Sequence, residues 1–239
     1  VSTAFAQLTE EQTTRTIQDV DQTLQIVEHR LTLAAHEGTL NEELIRVQLN
    51  ELLASRPFLS AITVLDRQGH FQFRSNEGGD IGLNVSDRNY FIRHRDDPKA
   101  GFMLSTPLRC RASKDWIIPA TLTWHLDNGE FAGVIIGSMN PLYFADIWTV
   151  AKALPDQATA LWRNDGVVLM RSPFNERTMG LVETNGVIFA RIKAGSAEGT
   201  LRTVSLIDGQ DRLIAYQRLK AYPALTLSVL LSIDTLKTC

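Results

Sequence analysis

Apolar residues recur at Ile17, Val20, Leu24, Val27, Leu31 and Ala34, spaced 3-4-3-4-3 with polar residues between them. That is the period of an α-helix, and it predicts one long helix over residues 5–36. Such a stripe serves either as a face packed on the chain's own sheet or as a short heptad seam against a second copy. Thr39 followed by Glu42 is a capping-box pattern, which predicts a second helix to about residue 54, ended by Arg56-Pro57. From residue 58 the period shortens. Apolar and β-branched runs bounded by Gly, Asn and Asp predict strands at 58–65, 71–75, 101–108, 116–126 and 131–139. Asp127-Asn128-Gly129 marks a hairpin. A Gly-rich link through Gly78, Gly79 and Gly82 leads to a short helix at 87–95 with Asp87 as N-cap. Another helix runs over 140–154 with Pro141 in its first turn, where a missing N–H does no harm.

After Pro155-Asp156 the pattern starts again. Leu65-Asp66-Arg67-Gln68-Gly69 turns into a strand ending Arg74-Ser75, and Gly82 follows. Arg163-Asn164-Asp165-Gly166 turns into a strand ending Arg171-Ser172, and Gly180 follows. In each copy the turn glycine stands five residues before the Arg-Ser pair. A helix near 187–194, a hairpin at Asp208-Gly209 and a last strand over 224–233 complete the second copy. The expected fold is therefore α+β, a long N-terminal helix followed by two antiparallel-sheet units in tandem. The expected divisions are leading helices at 1–54, a first unit at 55–157 and a second at 158–239.

Composition narrows the function. A 44% hydrophobic content belongs to a packed globular chain. The net charge of -3 argues against nucleic acid as a partner. No apolar run approaches the roughly 20 residues that span a bilayer. Cys110 and Cys239 are too few for a disulfide framework. The start at Val1 suggests an excised or processed segment. His29 and His36 stand seven apart on one helix, about 10 Å along its axis, too far to share an ion. H-E-x-x-H, G-x-S-x-G, P-loop and G-x-G-x-x-G elements are missing, so neither a metal, a cofactor nor a catalytic centre is expected.

Residues 86–144 carry a resemblance. Ser86-Asp87-Arg88-Asn89-Tyr90-Phe91, then Ser105-Thr106-Pro107, Trp116-Ile117-Ile118 and Asp127-Asn128-Gly129-Glu130-Phe131-Ala132-Gly133-Val134 resemble the double Cache sensor family. These are PAS-like extracytoplasmic sensor domains of bacterial membrane receptors. The second copy matches through Asp165-Gly166, Arg171-Ser172-Pro173 and Ala215-Tyr216 to Tyr222-Pro223. The resemblance implies a membrane-distal and a membrane-proximal Cache unit held outside the inner membrane. It also implies flanking transmembrane helices and a cytoplasmic output module of diguanylate cyclase or histidine kinase type, with a chemoreceptor as an alternative. The amino-acid-sensing branch looks like R-x-W-Y with a later aspartate for the ligand's ammonium. Here the motif reads Arg88-Asn89-Tyr90-Phe91, the aspartate position falls at about Ser138, and Thr123-Trp124-His125 stands where relatives carry an arginine pair.

The residues themselves suggest a site. Arg88 near a helix start, with Tyr90 beside it, suits a carboxylate clamp. His94 shares the Tyr90 face, Trp116 offers an apolar wall, and Ser105 and Ser138 offer hydroxyls from neighbouring strands. The ligand site is thus expected at Arg88, Tyr90, His94, Ser105, Trp116 and Ser138, in the first unit alone, for a small anionic molecule. The second unit's link from Ser172 to Gly180 looks too short to wrap a cavity. Blander readings stand beside these: Arg88 paired with Asp87 or Asp96, Trp116 in the core, His94 on a charged surface. Seven Lys/Arg against two Asp between residues 88 and 114 give a local +5 that suits an anion. The heptad stripe further suggests a homodimer along the leading helix. A ligand-free dimerisation module is the other reading.

Overall fold

The structure is a computed structural model and describes residues 2–76, 81–150, 152, 154, 156–205 and 208–234. Gly78, Gly79, Pro155 and Cys239 of the sequence reading lie outside the described residues. Contacts divide the chain into two compact units, Ile17–Asn140 and Val1–Thr16 with Pro141–Cys239.

The first sheet unit begins with most of α1 (Ser2–His36) and with α2 (Glu42–Ala54). Thr39 does not cap α2. Its backbone N–H donates to Ala34 O at 2.8 Å and so closes the end of α1. Asn41 caps α2 instead, its Oδ1 accepting from Leu44 N at 3.0 Å. The strands are β1 (Leu59–Asp66), β2 (Phe71–Arg74), β3 (Met103–Leu104), β4 (Leu108–Arg109), β5 (Trp116–His125) and β6 (Phe131–Met139), with α3 (Asn89–Asp96) between β2 and β3. The single strand expected at 101–108 is two short ones, because Pro107 between them has no N–H for a ladder. All pairings are antiparallel, in the order β2-β1-β6-β5-β3, with β4 also on β5.

One face of this sheet is covered by α1. Ile17, Val20 and Leu24 are 0% exposed, and Val27 and Leu31 are 1%. A Cβ at Gly137 of β6 would stand 3.3 Å from Leu24 Cδ2, so the missing side chain lets the helix settle onto the strand. The stripe therefore faces the chain's own sheet, and the seam to a second copy expected at Ile17, Val20, Leu24 and Val27 is already filled. The other face carries α3, whose Tyr90 and Phe91 pack with Leu65, Phe71, Val85, Val134 and Ile136.

The second sheet unit contains α4 (Pro141–Val150), β7 (Ala158–Arg163), β8 (Val168–Ser172), a 3-10 turn (Glu176–Thr178), α5 (Val187–Lys193), β9 (Glu198–Val204), β10 (Asp211–Arg218) and β11 (Leu225–Ser232). Sequence reading grouped residues 140–154 with the first unit. In the structure α4 packs here: Ser172 Oγ donates to Ala145 O at 3.1 Å, and Trp148 Nε1 donates to Thr13 Oγ1 at 3.0 Å. The sheet order is β8-β7-β11-β10-β9, the same winding as in the first unit.

The two openings match bond for bond. Gly69 N donates to Asp66 O and Gly166 N to Arg163 O, both glycines at positive φ (83° and 92°). Phe71 N donates to Leu83 O and Val85 N to Gly69 O; Val168 N donates to Leu181 O and Glu183 N to Gly166 O. The equivalences are offset by 97 residues before the link and 98 after it. The second link is therefore one residue longer, not too short.

Candidate functional site

In the first unit, the face of β5 and β6 beneath α3 holds most of the expected residues. Arg88 occupies the N-cap of α3 with an extended backbone (φ -76°, ψ 136°) and makes no side-chain cap bond. Asp87, expected to cap, is instead gripped by Arg111, whose Nη1 and Nη2 reach the two carboxylate oxygens at 2.8 and 2.6 Å. That fork holds the Asp87 carboxyl below its ordinary range. Asp96 accepts from Arg95 Nε at 2.8 Å. Both carboxylates that could have neutralised Arg88 are thus taken by other arginines. Among the described residues the Arg88 guanidinium makes no hydrogen bond or ion pair, and it lies near enough to Tyr90 to act on its phenol. Tyr90 is buried, which pushes its ionisation well above the ordinary phenol range.

His94 follows one turn after Tyr90 and is 0% exposed, not a surface histidine. Its Nδ1 lies 2.6 Å from Thr123 Oγ1, and its Nε2 lies 2.9 Å from Thr121 Oγ1. Thr123 Oγ1 donates to Ala100 O at 3.0 Å, so Nδ1–H must be the donor to Thr123. Nε2 then accepts from Thr121, whose other acceptor, Met103 O, stands farther off at 3.5 Å, and a neutral ring satisfies both contacts. Burial is the main cause that lowers the ring's pKa to about 4, with Arg93 adding to it. His94 thus ties α3 to β5, and a ligand could reach its nitrogens only by displacing a threonine.

That network predicts a specific acid sensitivity. The folded state binds fewer protons at His94 than the unfolded state between about pH 6.5 and about pH 4. Stability is therefore full above the unfolded value and falls as the pH drops through this window. A shift of this size corresponds to about 3 kcal/mol. The stability difference between pH 7 and pH 4 should shrink by roughly that amount in His94→Gln. Parallel pH profiles for parent and variant would contradict it.

Ser105 and Ser138 flank Pro119: Ser105 N donates to Pro119 O at 2.8 Å, and Ser138 pairs with Pro119 in the ladder. Ser138 alternates in step with Val134 and Ile136, which pack on Tyr90, so it shares their face. Trp116 is not brought to this face. It alternates with Ile118 and Ala120, opposite in step to Thr121 and Thr123, and its ring lies 5.0 Å from the Arg109 guanidinium. Sequence reading missed Thr121, Thr123 and Arg111. The Thr-x-Thr alternation on a strand facing a helical histidine was a usable signal, and Arg111 lay within the basic run already noted.

The second unit does have a cavity, contrary to expectation. An open cleft of about 100 Å³ lies between α5 and the sheet, with an adjoining hollow of about 10 Å³. Trp162, Glu183, Gly186 and Ile188 line both.

No helix among the described residues is long and apolar enough to cross a membrane. Residues 142–229 match the dCache_1-like family, described as a histidine kinase sensor domain. No curated protein matches by sequence. Among solved structures, the extracellular domain of rpHK1S-Z16, described as a histidine kinase, is 25% identical with a TM-score of 0.87 over 98% of this chain and 93% of that one. The ligand-binding domain of the Pseudomonas fluorescens chemoreceptor CtaA, in complex with L-isoleucine, is 14% identical with a TM-score of 0.68 over 98% and 92%. That of the Campylobacter jejuni chemoreceptor Tlp3, with 4-methylisoleucine, is 13% identical with a TM-score of 0.67 over 97% and 89%. The fold is that of an extracellular sensor domain, a long N-terminal helix followed in sequence by two PAS-like sheets. That is the fold of double Cache sensor domains, and residues 142–229 carry the match to the family model.

Proposed function

We propose that this chain is the extracytoplasmic sensor of an inner-membrane histidine kinase and that its first unit is the membrane-distal one. In this reading it binds a small carboxylate beneath α3, and the signal leaves through α1 and β11. One observation carries the ligand assignment: among the described residues the Arg88 guanidinium, beside buried Tyr90, makes no hydrogen bond or ion pair, while Asp87 and Asp96 are committed to Arg111 and Arg95. A guanidinium left unpaired at a helix start is ready for a bidentate carboxylate. Ser105 and Ser138 would meet the remaining polar groups of the ligand. The kinase output rests on the matched family. CtaA and Tlp3 hold amino acids in the same fold. Here Ser138 offers no charge for an ammonium, which favours a carboxylate lacking one.

A thermal-shift screen of small carboxylates, followed by calorimetry on parent and Arg88→Ala, tests this. Loss of a charged hydrogen bond costs about 1.5–3 kcal/mol, so affinity should fall roughly ten- to a hundredfold. Equal affinity in the two proteins would remove the assignment.

A further inference from the structure

The cleft of the second unit has features that its packing role does not require. α5 rests on the sheet through Ile188 and Ile192, which cluster with Ala158, Ile214, Tyr216 and Leu230. Beside this contact the sheet carries small side chains. Ala160 and Ser228 face each other across β7 and β11, and Trp162 Nε1 donates to Ser228 Oγ at 2.7 Å. Small residues under a helix leave room that larger ones would have filled. The walls are mainly apolar, from Trp162, Ile188, Ile214 and Leu230, and the room of about 100 Å³ suits only a very small molecule.

One charged side chain enters this space. Glu183 follows the repeated turn at the place of apolar Val85 in the first unit. It is partly buried, and its side chain makes no hydrogen bond or ion pair among the described residues. The neighbouring cation is already engaged, since Arg163 Nε donates to both Asp165 carboxylate oxygens at 2.9 and 3.1 Å. Arg212, at the other end of the same face, donates to Asp208 and to Asp156 O. Gly186 keeps the space beside the carboxylate open, because a Cβ there would stand 2.6 Å from Glu183 Oε1. A partly desolvated carboxylate without a partner is costly in the empty protein and gains most when a cation arrives. An aromatic wall adds attraction for the same charge.

We propose that the second unit carries its own ligand site, this cleft, and that it takes a small organic cation, an ammonium on a short apolar body, held by Glu183 and Trp162. The site is independent of the carboxylate site of the first unit, and the two would let one domain respond to ligands of opposite charge.

The test uses three probes of one shape, butylammonium, butyrate and 1-butanol, titrated into the isotope-labelled chain and followed by NMR. Butylammonium should move the amides of Glu183, Gly186, Val187 and Ile188 and the Trp162 indole N–H, with little effect from the other two. Glu183→Gln should weaken it by roughly tenfold or more. The amide keeps the shape and removes an unpaired charge, so the variant is expected to melt no lower than the parent. Arg88→Ala should leave this titration unchanged, which separates failure here from failure of the carboxylate assignment. Butyrate or butanol moving these signals as strongly, no response to butylammonium, or full affinity in Glu183→Gln would each overturn the proposal.

Discussion

Gly133→Ala is expected to unfold the first sheet unit outright. Gly133 lies opposite Asp66 in the β1–β6 ladder, and a Cβ there would stand 1.8 Å from Leu65 O. That atom is backbone of a strand paired on both sides, so no side-chain rotation relieves the overlap. The two strands must separate where a register shift already bends β5 against β6 at Trp124/His125. Such a clash belongs with the rare substitutions that cost upwards of about 4 kcal/mol. Gly129→Ala is the matched control. It has positive φ (82°) but nothing within 4 Å of its Cβ, so only about 1 kcal/mol of backbone strain is expected. Urea melts of both variants decide the matter, and similar costs would show that the close approach at Leu65 is not a constraint.

Leu24→Asp is expected to be as damaging, and its manner of failure tells two arrangements apart. Leu24 is fully buried, its side chain lying over Gly137 of β6. Removing a buried leucine side chain costs about 3–5 kcal/mol, and an unpaired buried carboxylate adds several more. The variant should lose its native circular dichroism or express insoluble. Ile26→Asp, on the exposed side of the same helix, should stay within about 0.5 kcal/mol of the parent. Were the stripe a seam between copies, Leu24→Asp would remain folded and simply turn a dimer into a monomer. Sedimentation velocity on the soluble fraction separates these results. A homodimer along α1, if it forms, must use the side that carries Ile26 and Leu33.

Local features were read well wherever short-range sterics decide them. The turn glycines Gly69 and Gly166, the hairpin at Asp127-Asn128-Gly129 and strand 131–139 depend on φ preferences and on alternation within a few residues. The double pattern also implied two sheets wound alike, because equal turns and equal strand spacing admit the same pairing. Reading failed where two local solutions compete. Thr39 and Asn41 are both fit to cap α2, and the end of α1 claims the former. Asp87 is a sound cap in isolation, yet Arg111, twenty-four residues on, offers a two-pronged charged bond that no cap equals.

The candidate site divides along the same line. Arg88, Tyr90 and His94 could be named from a helical spacing, and Ser138 from its strand. Which of them is free could not be named, because that depends on partners distant in sequence. Arg88 is available only because Arg111 and Arg95 hold the nearby carboxylates, while His94 is committed only because β5 brings Thr121 and Thr123 to its two nitrogens. Trp116 was assigned by residue type, and strand alternation then set it on the opposite face. The sequence by itself determined the element types, the repeat and the residues able to meet an anion, since these follow from periodicity and side-chain chemistry. Only the tertiary structure decided that the apolar stripe of α1 faces inward, that His94 is a neutral tie, and that the second unit opens a cleft at Glu183. Those outcomes turn on which surfaces are buried together, and burial sets the cost of every charge and the freedom of every polar group.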